Sequence, residues 1–196
     1  MSTMPATHDD SGFSLIETII AMGILATGLL GLAGVFTLGM AHMATSSANL
    51  VAREKAREAV ESVHTARDTR TITWCQIYNV TMATKSAECT AAAPGVFLNG
   101  EQDLKDPGDD GLVNTADDGA IEEQPGPNGT YEASTNPASD DIPLTNFKRT
   151  IVISNLTQDD GTGINQDLRQ ITVTITYNVG PVRRSYVLNT YISRIS

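Results

Sequence analysis

The longest uninterrupted pattern in the chain is an apolar run near the N-terminus. Between residues 13 and 52 the only formally charged side chain is that of Glu17, and most of the other positions are apolar. A run of this length exceeds the roughly 20 residues that a helix needs to cross a bilayer. The pattern therefore predicts a membrane-spanning helix, apolar to about residue 41, with one carboxylate close to its start.

The periodicity changes over residues 52–66. Apolar side chains recur there at alternating intervals of four and three residues, which is the repeat of one helix face. They are Ala52, Ala56, Ala59, Val63 and Ala66. We predict a single helix over residues 13–70, with this stripe packed on a sheet. A short coiled coil is the alternative interpretation of the stripe.

Strand patterns follow in the C-terminal part of the chain. Over residues 170–179, β-branched and aromatic residues alternate with Thr and Asn, which is typical of a strand with one buried face. Gly180 and Pro181 predict a turn, residues 183–193 the returning strand, and residues 147–155 a third strand. Residues 71–78 indicate a strand or an extended loop. The expected fold class is α+β, a long N-terminal helix packed on the antiparallel sheet of a head formed by residues 71–196.

Composition narrows the classes of function. With 196 residues and 40% hydrophobic content, the chain can hold one such helix and one modest domain. The net charge of −10 argues against nucleic acid as a partner, because phosphate binding needs a basic surface. Residues 101–145 hold twelve Asp or Glu and one Lys, and we call them the acidic insertion. No catalytic pairing of a nucleophile with a base is visible, so we do not predict an enzyme.

Residues 11–17, SGFSLIE, and the apolar residues after them resemble the class III signal peptide of type IV pilins and pilin-like proteins. The family motif is a short hydrophilic leader that ends in Gly, followed by Phe and, at the fifth mature position, Glu. These residues are Gly12, Phe13 and Glu17 here. The continuation over residues 24–34 resembles V-type minor pilins in particular.

The resemblance implies cleavage by a prepilin peptidase after Gly12, which removes residues 1–12 and leaves the apolar helix in place. It also implies methylation of the new Phe13 amine. The expected function is that of a minor pilin, a structural subunit of a type IV pilus-like filament whose partners are other pilin subunits. The chain would cross the inner membrane once before assembly and lie in a periplasmic or extracellular filament afterwards.

Two alternatives share parts of this pattern. A pseudopilin of a type II secretion system uses the same helix and the same cleavage. A membrane-anchored, calcium-dependent adhesion module would use the helix only as an anchor and would function through the acidic insertion. The leader has Asp9 and Asp10 but no Lys or Arg, so the positive-inside rule does not support a cytoplasmic leader. The chain could also start at Met4.

Glu17 is costly in an apolar helix unless it has a partner. If cleavage precedes Phe13, the new amine is a cation at a similar depth in the same or a neighbouring chain. Such a pair offsets the desolvation of both charges only when its geometry is good, so it would favour one register between packed helices. In an ordinary single-span anchor, Glu17 would instead be protonated at the membrane surface.

Glycines at positions 23, 28, 31, 34 and 39 interrupt the apolar run. Each lowers the stability of an isolated helix by up to about 1 kcal/mol relative to Ala. Close packing against other helices, local unwinding, and a simple glycine-rich anchor are three interpretations of this pattern.

Cys75 and Cys89 lie on the side of the membrane that would be exported, where a disulfide is expected. Closing a loop of about 15 residues stabilises a domain by roughly 3 kcal/mol in the chain-entropy model. No histidine lies close to either cysteine in sequence, which does not favour metal ligation or a reactive thiol.

Part of the acidic insertion matches an EF-hand-like calcium loop. The predicted ligands are Asp106, Asp110, the Leu112 carbonyl, Asn114 and Asp117. Gly108 lacks the oxygen expected at the third position, and Asp109 or Asp118 could substitute. Oxygen ligands favour calcium over zinc. The alternative interpretation is a mobile acidic loop, which the glycines and prolines of residues 125–129 favour.

Overall fold

The structure is a computed structural model that describes residues 14–83, 85–89, 94–131, 140–158, 161 and 163–194. The helix α1 (Leu15–Asp68) is followed by two short 3-10 helices, Trp74–Gln76 and Ala87–Cys89. The strands are β1 (Gln102–Asp103), β2 (Glu123–Gln124), β3 (Ile142–Pro143), β4 (Phe147–Thr157), β5 (Ile164–Val179) and β6 (Val182–Ser193). The chain divides into two compact units between Thr45 and Ser46, within α1.

The first unit contains the apolar part of α1. Its most apolar window of 18 residues has a mean hydropathy of 2.3, and none of that window is buried. Large apolar side chains from Leu15 to Met43 are 57–77% exposed. The hydroxyls of Thr18, Thr27 and Thr37 donate to helix carbonyls one turn earlier, so they need no water. Length and composition suit a helix that crosses a bilayer.

The five glycines of this unit have no packing role within the described chain. A Cβ atom built at Gly23, Gly28, Gly31, Gly34 or Gly39 meets no other atom within 4 Å. Each glycine weakens the helix relative to Ala, and no contact among the described residues compensates for this loss. Close helix packing therefore stays a prediction.

The second unit is built on an antiparallel sheet with the strand order β1-β4-β5-β6. The register aligns Ile151 with Val173 and Val173 with Leu188, so one face of the sheet is apolar. Gly180 has φ +57° and begins the turn between β5 and β6, which confirms the predicted hairpin. A residue with a side chain would be strained at this φ.

The head half of α1 packs on the apolar face of the sheet. Every residue of the predicted stripe is 0–4% exposed: Ala52, Ala56, Ala59, Val63 and Ala66. At one end Asn49 Nδ2 donates to Tyr177 Oη over 3.1 Å, and at the other Arg67 Nη1 donates to the Ser193 carbonyl over 2.8 Å. The α+β expectation and the packing of the stripe on a sheet are confirmed.

For residues 71–78 a strand or an extended loop was expected, and the structure has no strand there. They contain the 3-10 helix Trp74–Gln76, and the Gln76 side chain accepts hydrogen bonds from the backbone and hydroxyl of Thr73. Ile77 and Tyr78 are both buried although they are consecutive. A half-buried strand buries every second side chain, so the β-branched composition was a misleading signal here.

The acidic insertion is partly a component of the core. Leu104, Leu112, Val113 and Leu144 are at most 2% exposed and belong to the same buried cluster as the helix and the sheet. Strands β2 and β3 pair with each other. Residues 104–124 therefore contribute to the core, while residues 132–139 lie outside the described part of the chain.

A buried ionic trio joins the helix, the insertion and the sheet. Glu122 Oε1 accepts from Arg149 Nη1 over 3.0 Å, and Glu122 Oε2 lies 2.8 Å from Lys55 Nζ. Arg149 is 0% and Glu122 2% exposed. Burial by itself would lower the pKa of Lys55, but the hydrogen bonds to Glu122 and Glu58 outweigh it and raise that pKa above its ordinary value. Removing Glu122 would leave Arg149 as an uncompensated buried charge, whereas Lys55 would keep its ion pair with Glu58.

Glu122→Ala is expected to destabilise the head by about 3–5 kcal/mol, because it leaves Arg149 buried without its anion. The midpoint of thermal unfolding of the full chain in detergent measures this loss. Glu54→Ala is the matched control, since Glu54 is exposed and forms no ion pair among the described residues. Equal midpoints for the two variants would contradict a stabilising trio.

Candidate functional site

The predicted processing and assembly residues lie at the start of α1. Gly12 and Phe13 are outside the described residues, and Glu17 lies in the first turn of the helix. The Glu17 side chain is exposed and has no ion-pair partner in the part of the chain that the structure describes. The positive end of the helix dipole favours an anion there, but only by a fraction of a kcal/mol to about 1 kcal/mol. A stronger partner for Glu17 has to come from outside the described chain.

The second candidate site is the loop between Asp106 and Gly119. Its two ends are held together because the Asp106 amide donates to the Ala120 carbonyl and the Gly119 amide donates to the Asp106 carbonyl, each over 2.9 Å. Gly111 has φ +71° and closes a turn by donating to the Gly108 carbonyl. The loop is therefore a defined structure with both ends anchored.

The carboxylates of the loop accept hydrogen bonds from its own donors. Asp110 Oδ1 accepts from the Leu112 amide over 2.8 Å. Asp118 accepts from the amides of Asn114 and Thr115, at 2.8 and 3.1 Å, and also from the Thr115 hydroxyl. These donors are neutral, so the negative charge of the loop remains uncompensated by any cation of the described chain.

The presence of glycine at position 108 is explained by the Asp117 side chain, which lies very close to it. A Cβ atom at this position would collide with the carboxyl group of Asp117. The missing oxygen at the third position of the predicted calcium loop is thus a steric requirement, because the Asp117 side chain occupies that space. Asp117 also accepts from the Thr115 hydroxyl over 2.8 Å, and this hydrogen bond lowers the pKa of Asp117.

Four carboxylates of the loop lie near enough to influence each other. Burial raises the pKa of Asp110, and the charges of Asp117, Asp118 and Asp109 raise it further. Asn114 Nδ2 donates to the Leu98 carbonyl over 3.0 Å, while Asn114 Oδ1, the atom that would bind an ion, is buried without a hydrogen-bond partner among the described residues. Among the described residues, no three acidic, His or Cys side chains are grouped closely enough to hold a metal ion. Calcium binding stays a prediction.

Cys75 and Cys89 form the predicted disulfide. Next to it lies Arg169, which sequence reasoning missed. Its guanidinium stacks between the rings of Trp74 and Tyr78, at 4.0 and 3.6 Å from their centroids, and donates to the Trp74 and Ile77 carbonyls. Burial lowers the pKa of Arg169 to about 10. This cation fastens the disulfide segment to β5.

Comparison with known families identifies the N-terminal site. Residues 7–33 match the model of the prokaryotic N-terminal methylation motif. The chain carries the class III signal peptide of type IV pilins. Comparisons with curated proteins and with solved structures gave no match. The pilin-like motif thus covers the leader and the first half of the apolar run, and the head has to be interpreted from its own geometry.

The sequence held one signal that Arg149 and Arg169 are buried. Arg149 shares the inward parity of Phe147 and Ile151 on β4, and Arg169 shares that of Ile171 on β5. Alternation along a strand predicts that such side chains face the core. Alternation does not show which partners offset the free-energy cost of burying each cation.

Asp110→Asn is expected to raise the unfolding midpoint of the chain at neutral pH, measured with a chelator present. A raised carboxyl pKa means that the folded state holds the proton more tightly, so this group's contribution to stability falls as pH rises from 3.8 through the raised value. The gain should disappear at more acidic pH. Asp117→Asn is the matched variant and is expected to lower the unfolding midpoint at neutral pH, because the Asp117 pKa is lowered in the folded chain. If the change in unfolding midpoint does not depend on pH in either variant, the assigned pKa shifts of Asp110 and Asp117 are contradicted.

Proposed function

We propose that this pilin-like chain is a minor pilin, a structural subunit of a type IV pilus-like filament. In this proposal a prepilin peptidase cleaves after Gly12, the Phe13 amine is methylated, and the mature chain assembles with other pilins through α1. The observation that carries the proposal is the methylation motif at residues 7–33. The motif points to a structural protein that is inserted in the membrane before assembly.

The contrast between the two halves of α1 supports this proposal. From Ser46 onwards the helix belongs to the head, and its stripe is buried by residues of the same chain. Before that, the helix exposes its large apolar side chains and its glycines contact nothing. Glycines at a helix surface allow the backbones of neighbouring helices to approach closely. The exposed half therefore suits contacts with lipid first and with neighbouring pilin helices afterwards.

Glu17 would set the register of assembly in this proposal. Its carboxylate has no cation in the described chain, and processing would create an amine at Phe13, close to it in sequence. In an apolar surrounding an ion pair between neighbouring chains is favourable only at good geometry. One axial position of each helix against the next would consequently be preferred.

We also propose that the loop of Asp106–Gly119 binds calcium when the ion is present. Five carboxylates of this loop have no cation partner among the described residues, namely those of Asp106, Asp109, Asp110, Asp117 and Asp118. A divalent cation would relieve the mutual repulsion that raises the Asp110 pKa. The Gly108 to Asp117 contact would then hold one ligand in place.

Glu17→Ala is expected to leave processing intact and to prevent assembly. Mass spectrometry of the membrane fraction should find a mature chain that begins with N-methylated Phe13, for the variant as for the natural chain. The amount recovered in sheared filaments should fall by about tenfold or more, equivalent to 1.4 kcal/mol per subunit. Glu54→Ala, on the exposed face of the head half of α1, is the control and should assemble normally.

Several outcomes separate the alternatives. Normal assembly of the Glu17→Ala chain, with surface binding retained, would support the membrane-anchored adhesion module. If deletion of the gene abolishes a long surface filament, the pilus is supported. If deletion leaves the filaments unchanged but blocks the release of secreted proteins, the pseudopilin of a type II secretion system is supported instead. A chain that keeps residues 1–12 would contradict the whole proposal.

Calcium is expected to stabilise the full chain in detergent. At about 100 times its dissociation constant a ligand adds about 2.7 kcal/mol, and each kcal/mol shifts the unfolding midpoint of a domain of this size by roughly 2–4 °C. The measurement compares chelator with millimolar calcium. The shift should disappear in Asp117→Asn and persist in Glu54→Gln. An unchanged midpoint of the natural chain would remove the calcium proposal.

A further inference from the structure

The two ends of the Cys75–Cys89 disulfide lie in different surroundings. Cys89 is 0% exposed and belongs to the buried cluster of the head, whereas Cys75 is partly buried and packs against that cluster. A thiol that reacts with a disulfide attacks one of its two sulfur atoms, and access helps to decide which one. Access from solvent therefore favours attack at Cys75.

The buried sulfur lies next to the guanidinium group of Arg169. Arg169 Nη2 donates to Cys89 Sγ over 3.7 Å and to Ser86 Oγ over 3.5 Å. Arg169 is 1% exposed, so solvent screens its charge only weakly. The positive charge of Arg169 therefore acts directly on the sulfur atom of Cys89.

Arg169 has no counter-anion in the described part of the chain. None of the ion pairs among the described residues includes it. The groups that it contacts are neutral, namely two backbone carbonyls, the Ser86 hydroxyl and the rings of Trp74 and Tyr78. A buried charge without an opposite charge is costly. An anion formed at Cys89 Sγ would supply the missing charge.

The other charged groups near the disulfide do not cancel this effect. Glu88 and Asp167 both pair with Arg194, at 2.6 and 3.8 Å. Lys85 Nζ lies 5.8 Å from the centroid of an aromatic ring that Arg169 also contacts. Three cations thus stand against two carboxylates, and both carboxylates are engaged by Arg194 rather than by Arg169.

We propose that Cys75 is the site at which an external thiol forms a mixed disulfide with this chain. The attacking thiolate bonds to Cys75 Sγ while the bond between Cys75 and Cys89 breaks. Its electron pair leaves on Cys89 Sγ, which becomes a thiolate beside Arg169. The attacking thiol is oxidised to the mixed disulfide, and Cys89 is reduced. The reagent class is a thiol, and the inference does not depend on the filament proposal.

Arg169 favours this direction because it stabilises the leaving group. A thiolate leaves faster when its surroundings lower its basicity, and an adjacent guanidinium does so. Burial of Cys89 has the opposite effect, since it disfavours any charged form. The guanidinium, however, is already removed from water in the oxidised chain. The thiolate therefore gains the attraction of a fixed cation without a further rearrangement.

The position of the mixed disulfide tests the proposal in the natural full chain. The chain in detergent is treated with excess reduced glutathione, quenched with acid, denatured, and alkylated with N-ethylmaleimide. Tandem mass spectrometry should find glutathione on Cys75 and the maleimide on Cys89, with an excess of about tenfold or more over the reverse arrangement. The same chain treated in denaturant is the control and should show nearly equal amounts. Equal amounts in the folded chain, or an excess on Cys89, overturn the proposal.

Single-cysteine chains test the role of Arg169, which they retain. Cys75→Ser leaves the thiol of Cys89 beside the cation, and Cys89→Ser is the matched chain with the thiol of Cys75. Thiolate absorbance in the ultraviolet is followed against pH at a temperature where near-ultraviolet circular dichroism shows both chains folded. We expect the Cys89 thiol to ionise at the lower pH, by about one pH unit or more. Ionisation at the same or a higher pH than the Cys75 thiol overturns the role of Arg169.

Substitution of Arg169 in the Cys75→Ser chain then separates its charge from its packing. Arg169→Gln should move ionisation of the Cys89 thiol to higher pH, and Arg169→Lys should restore most of the natural value, because lysine keeps the positive charge. Equal midpoints for the two substitutions would contradict an electrostatic role. If Arg169→Gln does not fold, the comparison of the two single-cysteine chains decides.

Discussion

The packing of α1 on the sheet through small side chains is the constraint on which the head depends. The helix presents four alanines and one valine to the sheet, and all five are 0–4% exposed. Larger side chains at these positions would overfill the interface and move the helix outwards. Beside this buried stripe, Lys55 reaches Glu122 on one side of the helix and Arg67 reaches the Ser193 carbonyl on the other. Small side chains thus make the polar contacts at both helix edges possible.

Two buried arginines connect irregular segments of the chain to the sheet. Arg149 projects from β4 and holds the acidic insertion through Glu122 and the Lys105 carbonyl. Arg169 projects from β5 and holds the disulfide segment through the Trp74 and Ile77 carbonyls. Guanidinium groups suit this role because several donors in a fixed plane can bind separate acceptors. Segments with few strand contacts are thereby fastened to the rigid sheet.

Some features of the chain find their contacts within the described residues, and others do not. The apolar half of α1, Glu17 and the glycines have no counterpart within the described chain. The head satisfies its core internally, because the stripe of α1 is buried by residues of the same chain. The carboxylates of the loop between Asp106 and Gly119 form no ion pair among the described residues.

Local spacing in the sequence determined the regular elements. The stripe of small residues, the alternation over β5 and the Gly180 turn each depend on near neighbours. The stripe and the turn lie where they were predicted, and β5 ends at Val179 as predicted but begins at Ile164, six residues before the predicted start. The methylation motif is equally local, because it occupies the contiguous residues 7–33. The disulfide followed from the number of cysteines and the exported side.

Only the tertiary structure decided where charged and polar side chains of the head find their partners. Arg149 meets Glu122 from 27 residues away, and Arg169 meets the Ile77 carbonyl from 92 residues away. The Nδ2 atom of Asn114 donates to the Leu98 carbonyl, while its Oδ1 is buried without a hydrogen-bond partner among the described residues. The Asp117 carboxyl occupies the space that a side chain at Gly108 would need. Residues 74–76 form a 3-10 helix inside a segment for which a strand or an extended loop was predicted. Periodicity reports which face of an element is buried, whereas the free energy of burying a polar group depends on partners that only the folded chain supplies.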